Sequence, residues 1–137
     1  MKDLLLSSLR VSTSFLLGTL FSWGGSQFLQ DAFAPHVARP EVNDPAEIAE
    51  FLAQLPPAVH SGRLVAMGLG MALGTMVVRR WPGNRPLEAW SLTLLFAAGA
   101  IFDVFRVDHG AALSICTVAL VLPCCWMGIR IGSPKGR

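Results

Sequence analysis

Long stretches without charged residues dominate the hydropathy pattern of this chain of 137 residues. Residues 11–30 and residues 110–129 each contain twenty consecutive uncharged positions. An α-helix of about 20 residues, rising about 1.5 Å per residue, crosses the ~30 Å hydrocarbon core of a bilayer. We therefore expect a membrane-spanning helix at each of these two positions.

Two further apolar stretches lie between them. Residues 64–78 form a short one, but the basic residues at both of its ends have side chains long enough to reach the two membrane interfaces. The other follows Pro86, a residue that suits the first turn of a helix. The pattern thus predicts an all-α fold, a four-helix transmembrane bundle in a single membrane domain of residues 1–137. Its spans are expected at about residues 8–30, 60–80, 87–105 and 110–130.

The loop between the first two spans carries the signals of a short amphipathic helix. Asp44 suits the N-cap position and Pro45 suits the first helical position. Apolar residues then recur on one helical face, at Ile48, Phe51, Leu52 and Leu55. We predict a helix at about residues 44–55 whose apolar face needs a covering surface. The lipid interface, the ends of the protein's own helices and a partner subunit all remain open as that surface.

Basic residues flank the spans unevenly and predict the orientation of the chain. They concentrate before the first span, between the second and third spans, and in the tail: Lys2, Arg10, Arg79, Arg80, Arg85, Arg130, Lys135 and Arg137. Because Lys and Arg resist translocation, these three segments are expected in the cytoplasm. The loop between the first two spans carries five acidic residues and one arginine, as an exported loop does. The pattern predicts a multi-pass protein of a bacterial inner membrane with both termini in the cytoplasm.

Composition favours a membrane protein and argues against a nucleic-acid partner. Hydrophobic residues make up 53% of the chain and charged residues 15%, whereas about 25% of residues are charged in soluble domains. This surplus of apolar side chains predicts contact with the lipid bilayer. The net charge of +2 is small and scattered, whereas nucleic-acid binding needs Lys and Arg clustered on one face. We therefore expect no nucleic-acid partner.

Small residues recur at every fourth position in the first two spans. Inside lipid, helices associate through close backbone approach and a few hydrogen bonds between helices. Rows of small residues make flat helix faces on which two backbones can meet. We therefore predict packing through two rows, Ser14, Gly18, Ser22 and Ser26 in the first span and Gly62, Ala66, Gly70 and Gly74 in the second.

Few residues in the chain carry candidate chemistry. Asp103 follows fourteen uncharged residues, and an ionisable group at membrane depth is a functional candidate. Arg106 lies one turn later, so an ion pair at a helix end explains both residues more simply. His60 and His109 lie near the outer ends of the second and fourth spans, where they are either solvated or candidate haem ligands. Pro123 removes a backbone hydrogen bond inside the fourth span and predicts a kink there.

No catalytic, metal-binding or nucleotide-binding signature accompanies these residues. The three cysteines lie in the last span without the paired spacing of a zinc site and are expected to be small apolar residues of a helix. No serine lies in a nucleophile-elbow pattern, and no phosphate-binding glycine loop follows a strand. We therefore expect no enzymatic activity, no cofactor and no metal site.

Several of these features together resemble a known group of proteins. The features are Asp44-Pro45 leading to Phe51-Leu52 and Leu55-Pro56, a glycine-rich second span, and a closing helix with Leu122-Pro123. In this combination the chain resembles small bacterial four-span integral membrane proteins of uncharacterised function. The resemblance covers most of the chain. It implies four spans and a short exported helix, and it implies no activity, ligand or catalytic position.

Size and composition favour a non-catalytic accessory subunit of a larger membrane protein complex. A chain with small-residue faces on several helices and few polar groups is suited to packing against other membrane protein subunits. A small transporter or channel component is the alternative, although no polar stripe is evident along the spans. A membrane subunit that binds a pigment, quinone or haem is a further alternative, for which His60, His109 and the tryptophans are the candidate groups.

Overall fold

All secondary-structure elements among the residues that the structure describes are α-helices. The computed structural model describes residues 2–37, 44–106 and 110–133. These residues form the helices α1 (Lys2–Phe33), α2 (Pro45–Gln54), α3 (Pro57–Arg80), α4 (Pro86–Arg106) and α5 (Ala111–Gly132). All except α2 are long and apolar enough to cross a membrane. This confirms the predicted all-α fold of four span-length helices and one short helix, which is the build of a multi-pass membrane protein.

Helix α1 is longer than the predicted span of about residues 8–30. It contains 32 residues, which corresponds to about 48 Å of helix. Asp3 lies in its first turn, where a negative charge complements the helix dipole. Pro35 disfavours helical backbone at Ala34, and α1 accordingly ends at Phe33. Since the hydrocarbon core is only ~30 Å thick, α1 tilts or extends into an interface.

Helix α2 packs on the protein's own helices. Its N-cap is Asp44, whose Oδ1 accepts a hydrogen bond from the backbone N–H of Ala46 at 2.9 Å. Its apolar face joins a buried cluster with the residues that follow α1 and begin α3, namely Ala34, Val37, Leu52, Leu55 and Val59. Of the three candidate surfaces, namely the lipid interface, the protein's own helices and a partner subunit, the protein's own helices therefore cover this apolar face.

Helix α3 is the centre of the bundle and contacts α1, α4 and α5. It runs antiparallel to α1, with backbone against backbone. A Cβ built on Gly18 would lie 2.6 Å from the carbonyl oxygen of Gly70, and one built on Gly74 would lie 2.8 Å from that of Ser14. A Cβ does not fit at such distances. Helices α1 and α3 therefore approach this closely only because these positions are glycines.

Serine hydroxyls accompany this contact between α1 and α3. The Oγ of Ser22 donates to the carbonyl of Gly18 at 2.9 Å and lies 3.4 Å from the carbonyl oxygen of Met67 on α3. The Oγ of Ser26 donates to the carbonyl of Ser22 at 2.8 Å, within α1. The hydroxyl of Ser14 is buried and has no hydrogen-bond partner among the described residues. Ser22 therefore links the two helices, while Ser26 bonds within its own.

A second glycine contact joins α3 to α5, which runs parallel to it. A Cβ built on Gly68 would lie 2.9 Å from the sulfur of Cys124. One built on Gly132 would lie 2.8 Å from the carbonyl oxygen of Met76. Helix α3 thus has small residues on two faces, one against α1 and one against α5.

The apolar core lies mainly between α3, α4 and α5. Its buried members are Met71, Val78, Ala89, Leu92, Phe96, Ala100, Val121 and Cys125. Phe15 of α1 packs against this core, with its ring centroid 5.2 Å from that of Phe96 and the two rings inclined by 38°. Aromatic pairs in this range are mutually attractive, so the Phe15–Phe96 contact ties α1 to α4.

One end of the bundle, here called the Arg10 end, contains the start of α1, the turn between α3 and α4, and the end of α5. The Nη1 of Arg10 donates to the carbonyl of Gly83 at 2.8 Å and to the Oε1 of Glu88 at 3.2 Å. The side chain of Glu88 is only 3% exposed. Gly83 has a left-handed φ of 71°, which only glycine adopts readily. The opposite end, which carries α2, is called the α2 end.

The contact between α1 and α3 predicts how two glycine substitutions differ. Gly70→Leu places a side chain where the α1 backbone lies, whereas Gly24→Leu places one in open space. Overpacking typically costs roughly 2 kcal/mol, which corresponds to a melting temperature lower by roughly 5–10 °C for a chain of this size. Thermal unfolding of the detergent-solubilised variants, with size-exclusion profiles, measures the effect. Equal melting temperatures for Gly70→Leu and Gly24→Leu would contradict this packing.

Candidate functional site

A cavity of 410 Å³ with both polar and apolar side chains in its wall lies at the α2 end of the bundle. Helices α1, α3, α4 and α5 line it, and Phe51 and Leu52 of α2 close part of it. Apolar side chains contribute to its wall as well, namely Trp23, Leu64, Met67 and Leu113. A volume of this size is within the range of about 300–1,000 Å³ that small-molecule sites occupy.

Helix α1 supplies most of the polar side chains in the wall of this cavity. The wall residues recur with helical spacing on one face: Thr19, Ser22, Ser26, Gln27 and Gln30. From the first to the last of them the helix rises ~16 Å. The cavity therefore reaches about halfway along a span-length helix. The opposite face of α1 carries large exposed apolar side chains such as Phe21 and Phe28.

Charged and titratable side chains from two other helices face the same cavity. His60 and Arg63 come from the first two turns of α3, and Asp103 comes from the last turn of α4. Arg63 is half-buried and interacts electrostatically with Asp103. The guanidinium of Arg63 thus places a cation with five N–H donors in the cavity wall.

The two glutamine amides of α1 are incompletely hydrogen-bonded. The Nε2 of Gln30 makes a long contact of 3.5 Å with the carbonyl of Val37. The Oε1 of Gln27 is buried and has no hydrogen-bond partner among the described residues. Leaving a buried polar atom without a partner costs about 1–3 kcal/mol.

The layer below the cavity is apolar. The cavity wall ends at Thr19 and Met67. Beyond these residues the rings of Phe15 and Phe96 pack together, and the ion pair of half-buried Arg10 with buried Glu88 follows at the Arg10 end. The cavity therefore lies toward the α2 end, and a hydrophobic layer and an ion pair separate it from the other end.

The structure places the other predicted residues as follows. His60 lies in the cavity wall, whereas His109 lies outside the described residues, so a pair of histidine ligands remains a prediction. Asp103 lies in the wall with Arg63, and its predicted ion pair with Arg106 also remains a prediction. Helix α5 continues through Pro123. In residues 2–37, 44–106 and 110–133, no three His, Cys, Asp or Glu side chains are grouped to hold a metal ion.

Comparison with known proteins assigns no family to the chain. No protein-family model, curated protein or solved structure matches it. The resemblance to small four-span membrane proteins therefore remains a similarity of pattern. The function must be argued from the cavity and the helix surfaces.

Sequence reasoning missed most of the cavity wall. The polar part of the wall combines one face of α1 with residues of other helices, among them Arg63 on α3 and Thr117 on α5. One signal was available, because Thr19, Ser26 and Gln30 recur at helical spacing in an otherwise apolar span. The sequence predicts Arg63 as a residue that flanks its span, and its position in the cavity depends on how α3 is rotated about its axis.

The cavity predicts a difference in reactivity between neighbouring positions of α1. In a chain whose three cysteines are replaced by alanine, Gln27→Cys faces the cavity, whereas Phe28→Cys replaces a side chain that is 70% exposed on the apolar face. Because only a hydrated thiol ionises readily, a membrane-impermeant thiol reagent should label Gln27→Cys at least roughly tenfold faster in intact membranes. The readout is labelling rate by mass shift. Equal rates at the two positions would contradict a hydrated cavity.

Proposed function

We propose that the chain is a small carrier component that binds a polar solute in the cavity at the α2 end. The single observation that carries this proposal is the convergence of polar side chains from α1, α3, α4 and α5 on one cavity of 410 Å³. Polar and ionisable groups at membrane depth are costly, and they are kept where they contact a solute, an ion or water.

The ionisable side chains of the wall support this proposal. Arg63 and Asp103 line the cavity beside the hydroxyls and amides of α1. Ionisable groups within membrane segments typically face a water-filled cavity or a solute path.

We further propose that the cavity opens to the exported side of a bacterial inner membrane. The basic segments at residues 2–10, 79–85 and 130 lie together at the Arg10 end. Because basic segments remain in the cytoplasm, the α2 end is then the exported end. A periplasm-active reporter that gained activity when fused after Arg137 would contradict this orientation.

Uptake into proteoliposomes tests the carrier proposal. The probes are radiolabelled leucine, glucose and choline, which differ in charge. We expect saturable uptake of at least one probe, because the cavity offers both charged and neutral polar groups. Ser26→Trp, which fills the cavity, should reduce this uptake to the background of protein-free liposomes.

A matched control comes from the other face of the same helix. Phe28→Trp changes an exposed side chain and should leave uptake unchanged. If no probe enters faster than into protein-free liposomes, or if Ser26→Trp transports as well as Phe28→Trp, the carrier proposal is wrong.

A second candidate is a non-catalytic accessory subunit of a larger membrane complex. The observation that favours it is the open space beside Gly24 on α1 and Gly99 on α4, where an added Cβ would meet no atom within 4 Å. Small residues on outward membrane-helix faces are typical of contacts with further helices. Purification of the tagged chain from native membranes should then recover a stoichiometric partner, and Gly99→Leu should weaken that recovery. Recovery of the chain alone would count against this candidate.

A further inference from the structure

A groove of 620 Å³ lies at the Arg10 end of the bundle, where α3 and α5 end side by side. Arg80 of α3 and Arg130 of α5 both line it, and it is here called the Arg80–Arg130 groove. Among the described residues, no carboxylate lines this groove. Two positive charges therefore face one surface depression, which suits an anionic ligand.

Backbone packing sets the positions from which the two arginine side chains extend. A Cβ built on Gly132 of α5 would lie 2.8 Å from the Cβ of Arg79 on α3, so the two helix ends are in close contact. Arg79 is half-buried, and its Nε lies 3.4 Å from the Oγ of Ser133. The next residue, Arg80, is exposed and lines the groove instead. The two cations thus extend from the ends of two packed helices.

The second arginine is held against an aromatic ring. The Cζ of Arg130 lies 4.8 Å from the ring centroid of Trp126, one helical turn earlier. This cation–π contact engages the face of the guanidinium, whereas its N–H donors lie along its edge. The edge of a guanidinium matches two oxygens of a phosphate group. A phosphate is therefore the anion that fits a pair of arginines in this arrangement.

The remaining side chains of the groove are apolar and exposed, namely those of Trp126, Met127 and Ile131. A free phosphate ion would leave this apolar surface uncovered, whereas a phospholipid covers it with an acyl chain. Arg80 is the last residue of α3, and Arg130 lies in the last turn of α5. Arginine and tryptophan at the ends of membrane helices lie at the depth of the lipid headgroups.

We infer that the Arg80–Arg130 groove binds an anionic phospholipid, with its phosphate at the two guanidinium groups and an acyl chain along Trp126 and Met127. The groove lies at the opposite end of the bundle from the cavity, so the lipid site does not depend on the carrier proposal. Phosphatidylglycerol has the required net negative charge. Phosphatidylcholine does not, because its ammonium group cancels the charge of its phosphate.

Quenching of Trp126 fluorescence by brominated lipids tests the inference. In the full chain, phenylalanine replaces the other three tryptophans, Trp23, Trp81 and Trp90. The protein is reconstituted into phosphatidylcholine vesicles that contain a small fraction of brominated probe lipid. Because each basic side chain near a membrane surface favours an anionic lipid about fivefold, brominated phosphatidylglycerol should bind at Trp126 at least roughly tenfold more tightly than brominated phosphatidylcholine. Equal binding of the two lipids would overturn the inference.

Trp90 supplies a matched control for general attraction of anionic lipid to this end of the protein. It lies in the first turns of α4 at the same end, is 53% exposed as Trp126 is, and does not line the groove. A chain that keeps Trp90 as its single tryptophan should show a preference at least roughly fivefold smaller. An equal preference at the two tryptophans would overturn a specific site.

Two double variants with the same net charge assign the site to the arginines of the groove. Arg80→Gln with Arg130→Gln should lower the preference at Trp126 at least roughly fivefold. Lys2→Gln with Arg85→Gln removes two exposed cations of the same end that do not line the groove, and should retain the preference. Equal preferences in these two variants would overturn the inference.

Two further measurements complete the test. Arg80→Lys with Arg130→Lys keeps both charges and should keep most of the preference, so a folding defect of the glutamine variant would not leave the site undecided. Loss of the preference in the lysine variant would overturn the inference. Inorganic phosphate should leave the preference unchanged relative to chloride of the same ionic strength. Its loss in phosphate alone would assign the groove to free phosphate and overturn the lipid site.

Discussion

Close backbone contact along α3 is the constraint on which the rest of the structure depends. In lipid no hydrophobic effect draws helices together, so their association relies on dispersion contacts at short range. Gly70 and Gly74 let α3 approach α1, and Gly68 on another face lets it approach α5. Helix α3 therefore fixes the positions of two other spans. Larger side chains at these positions would separate the helices and remove the geometry on which the cavity depends.

The same constraint explains why the two ends of the bundle differ. Toward the Arg10 end, glycine contacts, the Phe15–Phe96 pair and the ion pair of Arg10 and Glu88 close the space between helices. Toward the α2 end, polar side chains of several helices surround a cavity instead. Helix α2 buries its own apolar face beside this cavity. Its residue Leu52 belongs both to the buried cluster between α2 and the adjoining ends of α1 and α3 and to the cavity wall. The short helix thus helps to shape the proposed binding site.

Local signals in the sequence predicted the helices well, because span length and N-cap chemistry depend on neighbouring residues. The uncharged stretches correspond to α1, α3, α4 and α5, and Asp44 caps α2 as expected. The cavity was not predictable in the same way. Arg63 and Asp103 are forty residues apart and meet only because α3 and α4 pack with particular rotations. The contact of Gly132 with α3 was missed for the same reason, since it depends on which helices are neighbours.

Disulfide cross-linking between α1 and α3 in native membranes tests the central contact most directly. In a chain without its natural cysteines, cysteines replace Leu29 and Gly62 as one pair, and Leu29 and Met76 as a control pair. In the antiparallel arrangement Gly62 contacts the side chain of Leu29, so the first pair should oxidise to a disulfide within the chain. Met76 lies about 21 Å further along α3 and its pair with Leu29 should remain reduced. Cross-linking of the control pair, or no cross-linking of the first pair, would contradict the account.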